Sequence, residues 1–257
     1  MKIDQHDTQG NTADTEPGPA LSSSSLAIGL TTAPRKHSTL EHTLRSLRRG
    51  GFSQRIELFA EPGSLPAGWA HEGVAVHLHT SRLGCYPNWL HAANWLLRET
   101  TAPFLLICED DAEFCRAACE VALQGLHTLP AIGYVSLYTP INNIEEAKVV
   151  EKKPGWHALN LGKECWGSLA YAFERNVLQA IVSRADHTMP KGTDGRVSAI
   201  VESLNLNCWH HLPSLAKHIG LESTVGNPIR AGSAAAGYRV EYDPKIGNGD
   251  LDLAECD

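Results

Sequence analysis

One stretch constrains this chain more than any other: Phe104-Leu105-Leu106-Ile107-Cys108 runs straight into Glu109-Asp110-Asp111. A strand apolar at every position is buried on both faces, which places it inside an α/β sheet flanked by helices. The acids then fall at its carboxyl end, where open α/β sheets put their ligands. Three adjacent carboxylates repel one another and lose hydration on burial, so a divalent cation is their natural partner.

The rest of the chain fits such a sheet. Leu26–Leu30 reads as a first buried strand ending in Thr31-Thr32-Ala33-Pro34-Arg35-Lys36. A helix with the stripe Leu40, Leu44, Leu47 follows, started by a Ser38/Glu41 capping box and stopped by Gly50-Gly51. Arg55–Ala60 is a second strand, and Val74, Val76 and Leu78 alternate along a third with His77 and His79 opposite. Asn88–Glu99 carries the stripe Trp89, Ala92, Ala93, Leu96, Leu97 of the helix before the acidic strand. Further on come a helix near 117–126, strands at 132–138 and 166–173, and helices at 176–184 and 194–204. The alternation of strand and helix predicts a Rossmann-like, mainly parallel sheet flanked by helices. The charged stretch 142–154 reads as a mobile loop.

Charge and cysteine usage narrow the function classes. The net charge of −7 comes from the ends: residues 1–24 hold four acids against Lys2, and 231–257 hold six against Arg239 and Lys245. The body between them is balanced and lacks the broad basic footprint of a nucleic-acid binder. No apolar stretch approaches the roughly 20 residues of a membrane span. Met1–Pro19 is polar where a signal peptide needs an apolar segment, so the expected location is cytoplasmic. The 7 cysteines are odd in number and scattered, as reduced thiols are. There is no Gly-x-Gly-x-x-Gly, no Walker loop and no Gly-x-Ser-x-Gly elbow, which argues against dinucleotide enzymes, P-loop ATPases and α/β-hydrolases.

With these residues assembled, the chain resembles the GT-A nucleotide-sugar glycosyltransferases. Glu109-Asp110-Asp111 stands where that family keeps an Asp-x-Asp motif, with Glu in the first position. Trp166-Gly167-Ser168-Leu169-Ala170-Tyr171 looks like one of its small-residue strands. Pro213-Ser214-Leu215-Ala216-Lys217-His218-Ile219-Gly220 is similar to a closing segment of the N-acetylglucosaminyltransferase IV group and of bacterial lipooligosaccharide galactosyltransferases. The likeness covers roughly residues 25–230. It implies one catalytic domain there, with a nucleotide-sugar half (25–115) and an acceptor half (116–230). A disordered acidic leader (1–24) and a flexible acidic tail (231–257) flank it.

The resemblance also implies roles. Mn²⁺ or Mg²⁺ is expected on Asp111, with Asp110 and His218 as further ligands. A UDP-sugar donor is expected to meet Thr31, Arg35, Glu61, Arg82, Asn88, Glu109, Asp110, Trp166 and Ser168. Among these, Glu61 accepts from the uracil N–H and Glu109 lies near the ribose. Trp166 and Trp156 are candidates to stack on a sugar ring. Asp194 is the expected general base of an inverting transfer, with Glu202 in reserve. The transferred group is hexosyl or N-acetylhexosaminyl, and the acceptor stays open among glycan, lipid, small molecule, protein and modified nucleic acid. The rival readings are a nucleotidyltransferase on a related sheet and a silent sugar- or nucleotide-binding module.

Overall fold

The computed structural model describes residues 25–149, 153–185, 192–220 and 235–242. The first half comprises β1 (Leu26–Thr32), α1 (Leu40–Arg49), β2 (Ile56–Ala60), β3 (Val74–Leu78), α2 (Cys85–Glu99), β4 (Phe104–Glu109), β5 (Ala112–Phe114) and α3 (Ala118–Thr128). The second comprises β6 (Ile132–Ser136), α4 (Ile141–Glu146), β7 (Gly155–Ala158), β8 (Ala170–Glu174), α5 (Arg175–Ser183), α6 (Thr193–Ser203), β9 (Asn207–Leu212) and β10 (Ala216–His218).

An 8-stranded sheet runs in the order β3-β2-β1-β4-β8-β6-β9-β7. The pairs β3/β2, β2/β1, β1/β4 and β6/β9 are parallel, whereas β8 and β7 run antiparallel to their neighbours. This is the mainly parallel, helix-flanked sheet that the apolar runs predict. β4 shows why its sequence is apolar throughout. Leu106 and Cys108 feed the core under α1 and α3, while Leu105 and Ile107 feed the core under α2, α5 and α6. Gly29 on β1 lets α2 close on the sheet, since a Cβ there would stand 3.1 Å from Leu96.

Several expectations need correction. No capping box forms: α1 begins after Thr39, whose hydroxyl donates instead to the Asp110 carbonyl at 2.8 Å, and Glu41 accepts from the Trp69 indole at 3.0 Å. On the edge strand β3 the alternation holds, but the apolar face is not the buried one beyond Val74, which packs on the core. Val76 and Leu78 are 40% and 64% exposed, while His77 stacks on Phe59 and meets Trp95. The 142–154 loop is partly helical, because Asn143 and Ile144 of α4 are buried. β5, β7 and β9 went unrecognised. β9 (Asn207-Cys208-Trp209-His210-His211-Leu212) hides behind two histidines that are buried in the fold. Residues 235–242 are not a free tail: Ala235, Ala236, Tyr238 and Tyr242 are buried, and the Ala236 amide donates to the Thr139 carbonyl at 2.8 Å. The leader at 1–24 lies outside the described residues. Among those described, no helix is long and apolar enough to cross a membrane.

Candidate active site

The acidic triplet bridges the end of β4 and the start of β5, so the chain must turn at Asp110. Two hydroxyls from the start of α1 hold that turn, Thr39 and Thr43 donating to the Asp110 carbonyl at 2.8 and 2.7 Å. The short β5 then pairs antiparallel with β10, setting His218 opposite Ala112. The Ile219 amide donates to the Asp111 carbonyl at 2.8 Å. This register carries His218 from far along the chain to the triplet.

Each carboxylate has its own environment. Glu109 accepts from the Ser168 hydroxyl at 2.9 Å. Burial, reinforced by the Asp111 charge, pushes its carboxyl up to about 7. Asp110 accepts at one oxygen from Arg35 Nε and Nη2 (2.9 and 2.7 Å) and at the other from the Thr32 hydroxyl (2.5 Å). Burial still leaves it above the ordinary carboxylate value, against the pull of Arg35. Asp111 pairs through Oδ2 with Arg35 at 2.7 Å and with His218 at 3.1 Å. Burial alone would raise Asp111, but the His218 hydrogen bond, the His218 charge and Arg35 together hold it below its usual value. Burial works to lower His218 as well, and its contact with Asp111 overcomes that and raises it.

The other Asp111 oxygen, Oδ1, is buried and finds no hydrogen-bond donor among the described residues. A buried carboxylate oxygen without a donor is costly, which suits a cation ligand. Among the described residues no group of three or more His, Cys, Asp or Glu side chains is placed to hold a metal ion, so Asp110, Asp111 and His218 do not form the expected three-ligand set; Asp110 spends both oxygens on Arg35 and Thr32. A cation here would have Asp111 as its protein carboxylate and would need phosphate oxygens to complete its shell, as Mg²⁺ and Mn²⁺ do in substrate-bridging sites. Gly220 also belongs here: a Cβ on it would stand 2.5 Å from Asp111 Oδ2 and 3.0 Å from the His218 ring.

A cleft opens beside the triplet. Thr31, Thr32 and Arg35 form one wall, Glu61, Arg82, Gly84, Cys85 and Asn88 the other, with Glu109 and Asp110 between. The helix α2 starts at the cleft on Gly84 (φ 88°) without a side-chain cap, so its positive end favours an anion there. Not every predicted residue is free to meet a ligand. Glu61 is buried, and its Oε1 accepts from the Leu83 and Gly84 amides at 3.1 and 2.5 Å, so it shapes the turn. Its Oε2 faces Arg82 at 3.4 Å. Asn88 is locked between His79 (2.9 Å) and the Phe59 carbonyl (3.2 Å). The Thr31 hydroxyl lies 3.4 Å from the Cys108 carbonyl.

On the other side of the triplet, Asp194 accepts from the Gly167 amide at 2.9 Å and from the Gly195 amide at 2.9 Å. It sits in the first turn of α6 rather than at its N-cap, which is Gly192. Trp166 is 48% exposed at this lip. Two predicted residues are not brought in. Glu202 is exposed in the last turn of α6, beside Gly162, because the helix leads away from Asp194. Trp156 packs on Gly125 of α3 and against His211. Sequence reasoning passed over Thr32, Gly220 and the Cys85–Thr193 contact (3.5 Å) that joins the starts of α2 and α6. Only for Thr32, adjacent to Thr31 on the strand, was a signal present.

Comparison with solved structures places this architecture. The mannosyltransferase PcManGT from Pyrobaculum calidifontis, in complex with GDP-Man and Mn²⁺, superposes with a TM-score of 0.51 at 17% identity, over 71% of this chain and 53% of that one. GalNAc-T7 with UDP, GalNAc and Mn²⁺ gives 0.59 at 13% identity, over 82% of this chain and 46% of that one. The fold is of the GT-A type. The chain spans about half the length of each of these two proteins. No family model matches the sequence, and no curated protein sequence matches it.

Proposed function

We propose that the chain is a metal-dependent glycosyltransferase that moves a hexosyl or N-acetylhexosaminyl group from a UDP-sugar to a hydroxyl, with inversion. The observation that carries this is Asp111. One of its oxygens is tied to Arg35 and His218, and the other is buried without a hydrogen bond among the described residues, at the carboxyl end of β4. A divalent cation held by Asp111, with His218 beside it, supplies Lewis-acid stabilisation of the departing diphosphate. Arg35, aimed by Asp110, and the start of α2 add positive charge on the same side. Glu109, held by Ser168, faces the ribose, and Glu61 shapes the cleft's far wall through the Leu83 and Gly84 amides. Asp194 takes the proton of the attacking hydroxyl. The buried free thiols at Cys108, Cys115, Cys119, Cys165 and Cys208 support a reducing, cytoplasmic setting.

The test is consumption of a panel of nucleotide sugars, UDP-hexoses and UDP-N-acetylhexosamines first, with Mn²⁺ and with EDTA. Cleavage of a UDP-sugar that EDTA abolishes is expected. Equal cleavage in EDTA, or none of any donor with Mn²⁺ or Mg²⁺, would overturn the proposal.

A further inference from the structure

Resting on that reading of the site, we infer that Asn143 is a positioning residue, which fixes the turn at 166–168 and through it aims Asp194. Asn143 lies in α4, is fully buried (0% exposed) and stands 23 residues along the chain from the turn it holds. Its Oδ1 accepts the Trp166 N–H at 3.0 Å, and its Nδ2 donates to the Trp166 carbonyl at 2.9 Å. One side-chain amide thus satisfies both main-chain polar groups of a residue that lies outside any strand. Asparagine is a poor helix former and costly to bury, so its place in a helix of 6 residues is explained by what it binds.

The turn passes this constraint on. Gly167 has φ 87°, and a Cβ on it would stand 2.7 Å from the Tyr138 ring and 2.9 Å from Pro140 Cγ, so the turn also leans on the segment that leads into α4. The Gly167 amide donates to Asp194 Oδ2 at 2.9 Å, while Oδ1 takes the amide of Gly195 in its own helix. Of these two bonds only that at Oδ2 comes from outside α6, so the turn sets which way the carboxylate points. A second tie holds the helix itself. Ser198, one turn beyond Asp194, shares a 2.9 Å hydrogen bond with the Tyr134 hydroxyl, which also meets Cys165 Sγ at 3.3 Å. Asn143 Nδ2 lies 3.6 Å from the same sulfur. Asn143, Cys165, Tyr134 and Ser198 are all buried, and they join α4, the turn, β6 and α6 in one polar network. The candidate base and the amide that aims it are therefore fixed together. Displacing a reacting group by about 1 Å can cost on the order of 10²-fold in rate, so this network is placed to act on turnover.

Two readouts on the full chain test this. Hydrogen exchange reads the turn: in Asn143→Ala the peptide covering 166–168 should exchange about tenfold faster than in wild type. Cleavage of UDP-hexoses and UDP-N-acetylhexosamines with Mn²⁺ reads the base. Below its melt, the same variant should lose kcat by about 10–10²-fold with donor KM within about threefold, since the cleft opens at the end of β1, across β4 from the turn. Asn143→Asp separates positioning from packing. Its carboxyl makes the same two bonds when protonated, and sets an acceptor against the Trp166 carbonyl when ionised. Its turnover relative to wild type should therefore rise as pH falls from about 8 to about 6, while that of Asn143→Ala should not. Unchanged exchange in Asn143→Ala, or faster exchange with kcat unchanged, overturns the inference and leaves the transfer reading standing. Should Asn143→Ala fail to fold, Asn143→Asp decides, and a ratio that does not rise with falling pH overturns the inference. A wild-type chain that cleaves none of these donors sinks the transfer reading, and the role of Asn143 with it.

Discussion

Asp111 and Asp194 are both carboxylates of the candidate site, yet their surroundings prepare them for different work. Asp111 Oδ1 has no donor among the described residues, so Asp111→Asn should remove donor turnover by about 10³-fold or more while the Arg35 and His218 contacts keep the turn folded. Turnover within tenfold of wild type in Mn²⁺ would sink its role as the metal ligand. Asp194 instead accepts two backbone amides. Asp194→Asn puts an NH₂ against one of those N–H groups, which costs about 1–3 kcal/mol of stability. Measured below the resulting melt, turnover should fall by about 10²–10⁴ with donor affinity nearly unchanged. A product that retains the donor's anomeric configuration would exclude this base.

At the scale of elements, the site depends on how closely strands and helices approach. β6 meets α6 at Gly133, where a Cβ would stand 2.0 Å from Val201 Cγ1 and 3.0 Å from the Asn207 carbonyl. Neither the packed valine nor the backbone can give way cheaply, so Gly133→Ala should destabilise by about 1–3 kcal/mol and shift α6. Because α6 carries Asp194 at its start, turnover should fall with stability. A melt within 1 °C of wild type, read by circular dichroism, would show that this contact is looser than the packing indicates. The same logic explains β5 and β10. Each is only 3 residues long, too short to stand out in the sequence, and they form because pairing with each other closes the site.

Over the whole molecule, burial sets the response to acid. Burial pushes His210 down to about 3 and His211 down to about 4, so both stay neutral in the fold well below pH 6.5. The unfolded chain binds a proton at each as pH falls through about 6.5, so the stability they contribute is full above that pH and is lost below it. Glu109 works the other way. With its carboxyl raised to about 7, its contribution is largest below about 4.5 and shrinks as pH rises. These three groups alone leave a net uptake of about one proton on unfolding; His91, lowered by burial, adds to it, while His218 and Asp110, both raised, oppose it. Stability of the metal-free protein should therefore drop by about 1.4 kcal/mol per unit between pH 6 and 5. Urea unfolding at pH 6, 5.5 and 5 checks this, and a flat or rising stability would mean that the His210–His211 pair is not shielded.

The amino-acid sequence by itself determined the sheet class, the path of β1 through β4 and the place of the acids at a strand end. Those features are local: an apolar run, a helical stripe of leucines, a glycine stop. It also marked Arg35, Asp194, Trp166 and His218, since few residue types carry such chemistry. What it could not carry was who faces whom. The alternation along β3 was plain, but its outer position in the sheet left Val76 and Leu78 in water and turned His77 inward. Glu61 and Asn88 carry functional residue types, and only the fold shows their polar atoms engaged by the protein's own backbone and side chains. Glu202 lies on the right helix at the wrong end. His218 reaches Asp111 through the β5–β10 register, and Gly220 matters because nothing larger fits beside that carboxylate. Register and close approach are decided by packing between distant segments, and no local pattern of residues encodes them.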